Sequence, residues 1–150
     1  MHGRLQGAGR GTTMISMFNL HPQLETDSHH VAALDLCQVR LLDDGRYPWL
    51  LLVPQRDDVT QVLDLAADDQ QLLWDEIRHV TARLNDIWSP ARVNLGISGI
   101  VVPQLHVHLI ARFENDLAWP RPVWNLGTPT TYPADLLTSR LDELRTALAP

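Results

Sequence analysis

Apolar and polar positions along the chain follow two different periods, which predict strands in some stretches and helices in others. The segment Leu36–Leu42 alternates between the two residue types, and the segment Trp49–Pro54 is almost entirely apolar. The turn signal Asp43-Asp44-Gly45 separates them. Two strand patterns joined by a short polar turn predict an antiparallel β-hairpin.

A longer stretch after Asp68 has the spacing of an amphipathic helix. Its apolar residues recur every three or four positions and would form one stripe, which consists of Leu73, Ile77, Val80, Leu84 and Ile87. The pair Ser89-Pro90 ends this predicted helix, because the residue before a proline disfavours the helical conformation. A second stripe of leucines between Asp135 and Leu148 predicts a C-terminal helix.

A second hairpin is predicted between these two helices. Residues Arg92–Ile97 have a strand pattern, and Ser98-Gly99 is a turn signal. A longer strand then begins at Val101 or Val102 and reaches Ala111. The mixture of hairpins and helices predicts an α+β protein with an antiparallel sheet.

Residues 114–133 combine several prolines with Trp119 and Trp124. Proline and glycine predict a loop, yet two indoles are unusual in a solvated linker. We expect the rings either to fold back over the core or to line a pocket or a subunit interface.

The first part of the chain gives two further predictions. Residues 1–17 have several glycines and no apolar periodicity, so we expect a flexible tail before a single domain at residues 18–150. The run Asp27-Ser28-His29-His30 predicts the start of a helix that continues into Val31.

The predicted strand around His106 carries the candidate chemistry. Side chains alternate between the two faces of a strand, so Gln104, His106 and His108 would point one way. The intervening residues, Leu105 and Val107, would point the other way into an apolar core. Two imidazoles and an amide would therefore share one face of the sheet.

Three interpretations of that face compete. In the first, one imidazole attacks phosphorus and forms a covalent intermediate, while the other holds a phosphate oxygen or protonates the leaving group. In the second, His106 and His108 bind a metal as in a cupin barrel, although Glu114 is distant and no histidine follows His108. In the third, both histidines are structural.

The amino-acid composition limits the kinds of partner and of chemistry that this protein can have. The formal charge of −6 argues against a protein that coats nucleic acid, because phosphate backbones bind positive surfaces. All 12 basic residues are arginines, which excludes lysine Schiff-base chemistry. No apolar run is long enough to cross a membrane. The single cysteine, Cys37, is interpreted as a buried structural thiol in a protein of the reducing cytoplasm.

The run Gln104-Leu105-His106-Val107-His108-Leu109-Ile110 resembles the signature of the histidine triad (HIT) family, with Gln104 in place of the first histidine. The resemblance covers roughly residues 34–124. Three motifs in order make the chain similar to a bacterial branch of that family. They are Arg-Tyr-Pro-Trp at 46–49, Val-Pro-Gln-Leu-His-x-His at 102–108, and Ala-Trp-Pro-x-Pro-Val-Trp at 118–124.

The resemblance implies an α+β fold with an antiparallel sheet of about five strands, a central amphipathic helix and a C-terminal helix. It also implies a homodimer that binds a small-molecule nucleotide, needs no metal or other cofactor, and acts at the α-phosphate. Substrates in that family include dinucleoside polyphosphates and nucleoside phosphoramidates. By position, His106 matches the nucleophile and His108 a phosphate contact near the leaving group. Asn94 matches a position near the substrate.

Several residues depart from the wider family pattern. Gln104 can form hydrogen bonds but cannot titrate, Trp49 stands where a further histidine is common, and Ile100 and Val101 replace polar residues. Backbone N–H groups around Gly99 would then be left to stabilise developing charge. A nucleotide-binding protein with weak or no catalysis is the main alternative.

Two arginines complete the candidate site. Arg46 and Arg112 are the cations that we consider for phosphate, with an ion pair to one of the many acidic residues as the favoured alternative for each. The candidate catalytic residues are therefore His106, His108 and Gln104. The candidate substrate-binding residues are Asn94, Gly99, Arg46, Trp49 and Arg112.

Overall fold

A five-stranded antiparallel sheet with the strand order β1-β2-β3-β5-β4 forms the centre of the protein. The structure, a computed structural model, describes residues 17–150. Its strands are β1 (Ser28–Ala33), β2 (Cys37–Leu42), β3 (Trp49–Pro54), β4 (Arg92–Gly96) and β5 (Val107–Arg112). Both predicted hairpin pairings are confirmed, because β2 pairs with β3 and β4 pairs with β5.

The two longer helices cover one face of this sheet. The helices are α1 (Pro22–Asp27), α2 (Ala67–Trp88) and α3 (Ala134–Ala147), and a 3₁₀ turn lies at Val62–Asp64. The buried stripe of α2, which includes Leu73, Ile77, Val80 and Leu84, packs into the larger apolar core. Leu144 of α3 joins the same core. The amphipathic spacing in the sequence therefore predicts both helices and the side that each one buries.

The opposite face of the sheet carries a second, smaller apolar cluster. Leu24 of α1, Trp49 and Leu51 of β3, and Ile110 of β5 belong to it. Val123, from the long segment between β5 and α3, closes the cluster. This face therefore receives side chains from the segment before β1 and from the segment after β5. It is also the face on which His108 lies.

One expected helix start is wrong. The run Asp27-Ser28-His29-His30 does not begin a helix, because Ser28–Ala33 is strand β1 and the short helix α1 precedes it. The Ser28 hydroxyl donates a hydrogen bond to the Leu24 carbonyl at the end of α1. Pairing of β1 with β2 along Ser28–Leu42 and His29–Leu41 outweighs the local helix signal, since tertiary contacts routinely override propensity.

The predicted length of the histidine strand is also wrong. Strand β5 begins at Val107, so Gln104 and His106 precede the ladder. Pro103 lacks an N–H group, and the N–H of Leu105 donates to the carbonyl of Val59 in a loop instead of to a strand. Strict alternation of faces therefore does not apply to Gln104.

A buried carboxylate ties α2 to the beginning of β2. Glu76 is buried on the apolar stripe of α2, and its two oxygens accept hydrogen bonds from the N–H groups of Leu36 and Cys37 at 2.9 and 2.7 Å. The Cys37 thiol is fully buried beside it. Burial first, and then the charge of Glu76, raises the pKa of this thiol well above its ordinary range.

The α+β class, the antiparallel sheet and the C-terminal helix are confirmed. The open sheet with its helices excludes the cupin barrel that the second interpretation of the histidines required. The tail predicted at residues 1–17 lies outside the described residues except for Met17. No helix within residues 17–150 is both long enough and apolar enough to cross a membrane.

Replacing Glu76 by alanine leaves two buried backbone N–H groups without acceptors. We expect Glu76→Ala to lower the free energy of unfolding by about 2–4 kcal/mol. The matched control is Glu143→Ala, which removes an exposed acceptor of the Trp88 indole and is expected to cost less than about 0.5 kcal/mol. Urea unfolding at one fixed protein concentration measures both, and equal costs would contradict this role for Glu76.

Candidate functional site

Strand β5 lies between β3 and β4 and presents His108 on the face of the smaller cluster. His108 pairs with Leu51 on one side and with Gly96 on the other. Cross-strand partners share a face of the sheet, so the imidazole stands between a leucine and a residue without a side chain. The room beside His108 is therefore a consequence of Gly96.

His106 is held as a neutral nucleophile would be. Its Nδ1 atom lies 2.7 Å from the backbone carbonyl of Gln104, and a carbonyl oxygen can only accept a hydrogen bond. The proton of the neutral imidazole must then be on Nδ1, and the lone pair on Nε2. The ring is buried and its centroid lies 4.8 Å from that of His108.

His108 has the opposite arrangement of its proton. The indole Nε1–H of Trp49 donates to Nδ1 of His108 at 2.9 Å, so a proton on neutral His108 is on Nε2. Burial, and secondly the neighbouring His106, lower the pKa of His108 from 6.5 to about 4. At neutral pH His108 is therefore neutral, and the hydrogen bonds of the two rings place the proton of a neutral imidazole on opposite nitrogens.

Aromatic rings enclose His108 on two sides. Trp124 meets it edge-on with ring centroids 5.1 Å apart, and Trp124 and Trp49 meet edge-on at 5.4 Å. A pocket of about 260 Å³ opens beside these rings and is lined by Gly96, Ile97, Ser98, His108 and Trp124. None of these lining residues is charged at neutral pH, so the pocket is suited to an apolar group.

Gly96 is required where it is by the ring of Trp124. A Cβ atom at residue 96 would lie 2.6 Å from Cζ2 and 2.9 Å from Cη2 of that indole, which is closer than real Cβ contacts. Glycine therefore allows Trp124 to approach β4 and His108 together. In this way the loop at 114–133 places one of its two tryptophans, Trp124, beside His108.

The side chain of Gln104 does not face the two imidazoles. Its Oε1 accepts the N–H of His21 at 2.8 Å, and its Nε2 donates to the carbonyl of Asn19 at 2.9 Å. Gln104 thus fastens the segment before α1 to the site, while its own carbonyl orients His106. A second pocket, of about 540 Å³, is lined by Gln104 and Asn19 and also by the carboxylates of Asp57 and Asp58.

The guanidinium groups of Arg46 and Arg112 are both engaged within the protein. Arg46 donates to both oxygens of Asp44 and to the Leu126 carbonyl. Arg112 donates to both oxygens of Asp116 and to the Arg121 carbonyl. These are the ion pairs that were the favoured alternative to phosphate binding, although the Arg112 pair is buried and not at the surface.

Arg112 also orients Asn94, which lies on β4. Its Nη1 donates to Oδ1 of Asn94 at 2.9 Å. With Oδ1 used, the Nδ2 group is the part of this amide that remains as a donor toward a ligand. The Arg112 guanidinium is further packed over the ring of Trp119 at 5.7 Å.

The turn after β4 places Gly99 in a left-handed conformation, and the two residues that follow it, Ile100 and Val101, supply no polar side chain. Gly99 has a φ of +64°, and a Cβ there would lie 3.0 Å from the Thr60 carbonyl. Ile100 and Val101 are 84% and 90% exposed. Within residues 17–150, no group of three or more histidine, cysteine or acidic residues could hold a metal ion.

Sequence reasoning did not assign the contact of Trp124 with His108 or the pairing of Asp116 with Arg112. For the loop tryptophans, the sequence left two roles open, packing over the core or lining a pocket or an interface. A tryptophan twelve residues beyond the end of β5, in a proline-rich loop, indicates a ring that folds back onto the protein. Which residue the ring contacts depends on the tertiary structure. Asp116 gave no signal of its own.

Fold and site together describe an α+β protein in which two imidazoles lie side by side at the start of strand β5. A family model described as the HIT domain matches residues 23–115. Because this match spans more than half of the chain, the protein belongs to the HIT family. Among curated proteins, no significant match was found.

Solved structures of histidine triad proteins are similar over nearly the whole chain. One from Bradyrhizobium japonicum is 39% identical, with a TM-score of 0.85, and the match covers 88% of this chain and 98% of that one. One from Sinorhizobium meliloti 1021 is 40% identical, with a TM-score of 0.83 over 87% and 97% of the two chains.

A more distant structure has the same fold. It is a hypothetical histidine triad nucleotide-binding protein from Sulfolobus tokodaii strain7, which is 18% identical, with a TM-score of 0.63. The match covers 83% of this chain and 86% of that chain. At this identity the likeness concerns the fold alone.

Replacing Gly96 by alanine is expected to displace the Trp124 ring. The clash at residue 96 should lower the free energy of unfolding by about 1–3 kcal/mol and change the near-ultraviolet circular dichroism. In a Trp124→Ala background the same substitution should cost much less, which a double-mutant cycle measures. The control is Gly45→Ala, whose Cβ would make an ordinary contact at 3.4 Å. Additive costs at residues 96 and 124 would contradict the close packing.

Proposed function

We propose that the protein is a nucleotide hydrolase or transferase that acts at the α-phosphate through a nucleotidyl-His106 intermediate. The observation that carries the proposal is the hydrogen bond from His106 Nδ1–H to the Gln104 carbonyl. It leaves the lone pair on Nε2, which is the atom that must attack phosphorus. The glutamine at residue 104 supports assignment to the bacterial branch in which this residue replaces the first histidine.

The chemistry consists of two displacements at phosphorus. In the first, His106 Nε2 forms a bond to the α-phosphorus. The bond between phosphorus and the leaving group breaks, and the leaving group keeps the electron pair. The leaving group then takes a proton from solvent. In the second, water attacks the same phosphorus, the P–N bond breaks, and a nucleoside monophosphate and a proton are released. Transfer to another acceptor replaces water by that acceptor.

The Gln104 carbonyl has a role in both steps. Attack at phosphorus makes the imidazole of His106 cationic, and the nearby carbonyl dipole stabilises the positive charge on the ring through the Nδ1–H group. Because the carbonyl is fixed in the backbone, it needs no rearrangement during the reaction. The side-chain bonds of Gln104 to Asn19 and His21 hold this backbone segment in place.

Of the two substrate classes, the charges at the site favour the nucleoside phosphoramidate. Arg46 and Arg112 are engaged with Asp44 and Asp116, so both guanidinium charges are already compensated within the protein. A dinucleoside polyphosphate brings several negative charges, which these two arginines would not be available to balance. A phosphoramidate brings one, and its leaving group can be apolar like the pocket beside Trp124.

The second candidate is a nucleotide-binding protein of the same fold with weak or no catalysis. It is supported by Ile100 and Val101, whose exposed apolar side chains offer no donor for a phosphate oxygen. The amide of Gln104 is also occupied by backbone partners.

Removal of the proposed nucleophile tests the two candidates against each other. With adenosine phosphoramidate or diadenosine tetraphosphate as substrate, we expect His106→Ala to lower kcat by at least about 10³-fold. His79→Ala, which removes an exposed histidine from α2, serves as the control and should leave kcat unchanged. Turnover that persists in His106→Ala would refute the nucleophile, and binding without turnover by the wild type would favour the second candidate.

A homodimer and a cytoplasmic location are part of the same proposal. Strand β4 is at the edge of the sheet, so one row of its backbone groups has no partner strand among the described residues. Leu95 and Ile97 at this edge are 43% and 42% exposed. An exposed apolar edge is a template for pairing with another strand, and a second copy of the chain would continue the sheet.

Charge placed on the edge of β4 should separate the dimer. We expect sedimentation velocity to give a dimer for the wild type and a mostly monomeric species for Leu95→Arg, because the new charge would be desolvated in the interface. Leu63→Arg is the control, because Leu63 is 80% exposed in the 3₁₀ turn. This variant should remain dimeric. A monomeric wild type would contradict the dimer.

A further inference from the structure

The contact between Trp49 and His108 gives the second imidazole a fixed state. An indole has a single donor, Nε1–H, and in Trp49 that donor is used at 2.9 Å on Nδ1 of His108. Trp49 is nearly buried and meets the imidazole at an interplanar angle of 69°. The N–H of Trp49 is therefore directed at His108 and not at a ligand, although the sequence made Trp49 a candidate substrate contact.

The donor on Nδ1 constrains both the tautomer and the charge of His108. A protonated imidazole carries hydrogens on both nitrogens, so its Nδ1–H would point at the indole N–H instead of accepting it. Protonation of His108 therefore costs the hydrogen bond and sets two donors against each other. The neutral form with Nε2–H keeps the bond.

We propose that Trp49 is a positioning residue that fixes His108 as a neutral imidazole with its proton on Nε2, so that His108 donates a hydrogen bond to the phosphate instead of a proton to the leaving group. This inference rests on the proposed function for the identity of the ligand. A neutral imidazole is a weak acid but a good fixed donor toward developing negative charge.

The surroundings of His108 add little that could charge it. The preceding segment brings His106, the one titratable group that acts on the pKa of His108. Strand β3 brings Trp49 and Leu51, strand β4 brings Gly96, and the loop brings Trp124, and none of these side chains titrates. No carboxylate is among these neighbours to stabilise an imidazolium, so the indole acts on a ring that is already biased toward neutrality.

Three variants of the full-length protein separate this role from packing. Trp49→Phe keeps an aromatic ring and removes the donor. Trp49→His returns a ring N–H, because Nε2 of histidine lies at nearly the same ring position as Nε1 of tryptophan. Trp88→Phe is the matched control, since it removes another indole hydrogen bond, to Glu143 at 2.7 Å, far along the chain from the site.

Proton and nitrogen NMR of the His108 ring gives the first readout. In the wild type the ring should keep its neutral Nε2–H form down to about pH 4. In Trp49→Phe the pKa of His108 should rise above the wild-type value but stay below 6.5, because burial and His106 still lower it. Trp49→His should restore the low titration, and Trp88→Phe should show the wild-type one. An unchanged His108 titration in Trp49→Phe would overturn the proposal.

The kinetics with adenosine phosphoramidate give the second readout. Trp49→Phe should lower kcat by about 10- to 100-fold with little change in KM, as expected for a misplaced transition-state contact. Its pH–rate profile should gain a step between about pH 4 and 6.5 that the wild type lacks. A raised pKa of His108 in Trp49→Phe together with an unchanged kcat would also overturn the proposal. If the wild type shows no turnover, the proposed function fails, while the NMR titration still decides whether Trp49 fixes His108.

Discussion

The hydrogen bond from His106 Nδ1–H to the backbone carbonyl of Gln104 decides which nitrogen of the proposed nucleophile is free, and the rest of the proposed site depends on it. The bond exists because the chain does not join the β-ladder until Val107. Inside the ladder, strand partners would compete for backbone carbonyls. Outside it, the Gln104 carbonyl is available at 2.7 Å. The late start of β5, at Val107, is therefore a requirement of this hydrogen bond.

The two faces of the sheet have different tasks. One face packs against α2 and α3 through an apolar core whose composition is typical of many α+β proteins. On the other face, Gly96 makes room for Trp124, and Trp124 and Trp49 enclose His108. Buried aromatic walls favour the neutral form of an imidazole, since a charged ring would be desolvated there. The proposed chemistry uses His108 in this neutral form.

Much of this fold follows from periodicity. The stripe of α2 and the alternation of the hairpin strands are local patterns, and each element needs only its own residues to be recognised. The start of β1 and the beginning of β5 were not predicted correctly, because pairing with Leu42 and the bond of Leu105 to Val59 are made with residues distant in the sequence. Likewise, the two histidines and the glutamine could be singled out from their spacing. The direction of the Gln104 side chain could not, because its partners Asn19 and His21 are more than eighty residues away.

The most direct measurement of the account is a search for the covalent intermediate. The wild-type protein is mixed with a stoichiometric amount of adenosine phosphoramidate and quenched within one turnover in alkaline denaturant, since phosphohistidine bonds break in acid. Mass spectrometry of the intact chain and its peptides then locates the adduct. The proposed mechanism predicts an adenylyl group on the peptide that contains His106 and no adenylyl group on the His106→Ala protein. Turnover without an adduct, or an adduct on another residue, would contradict it.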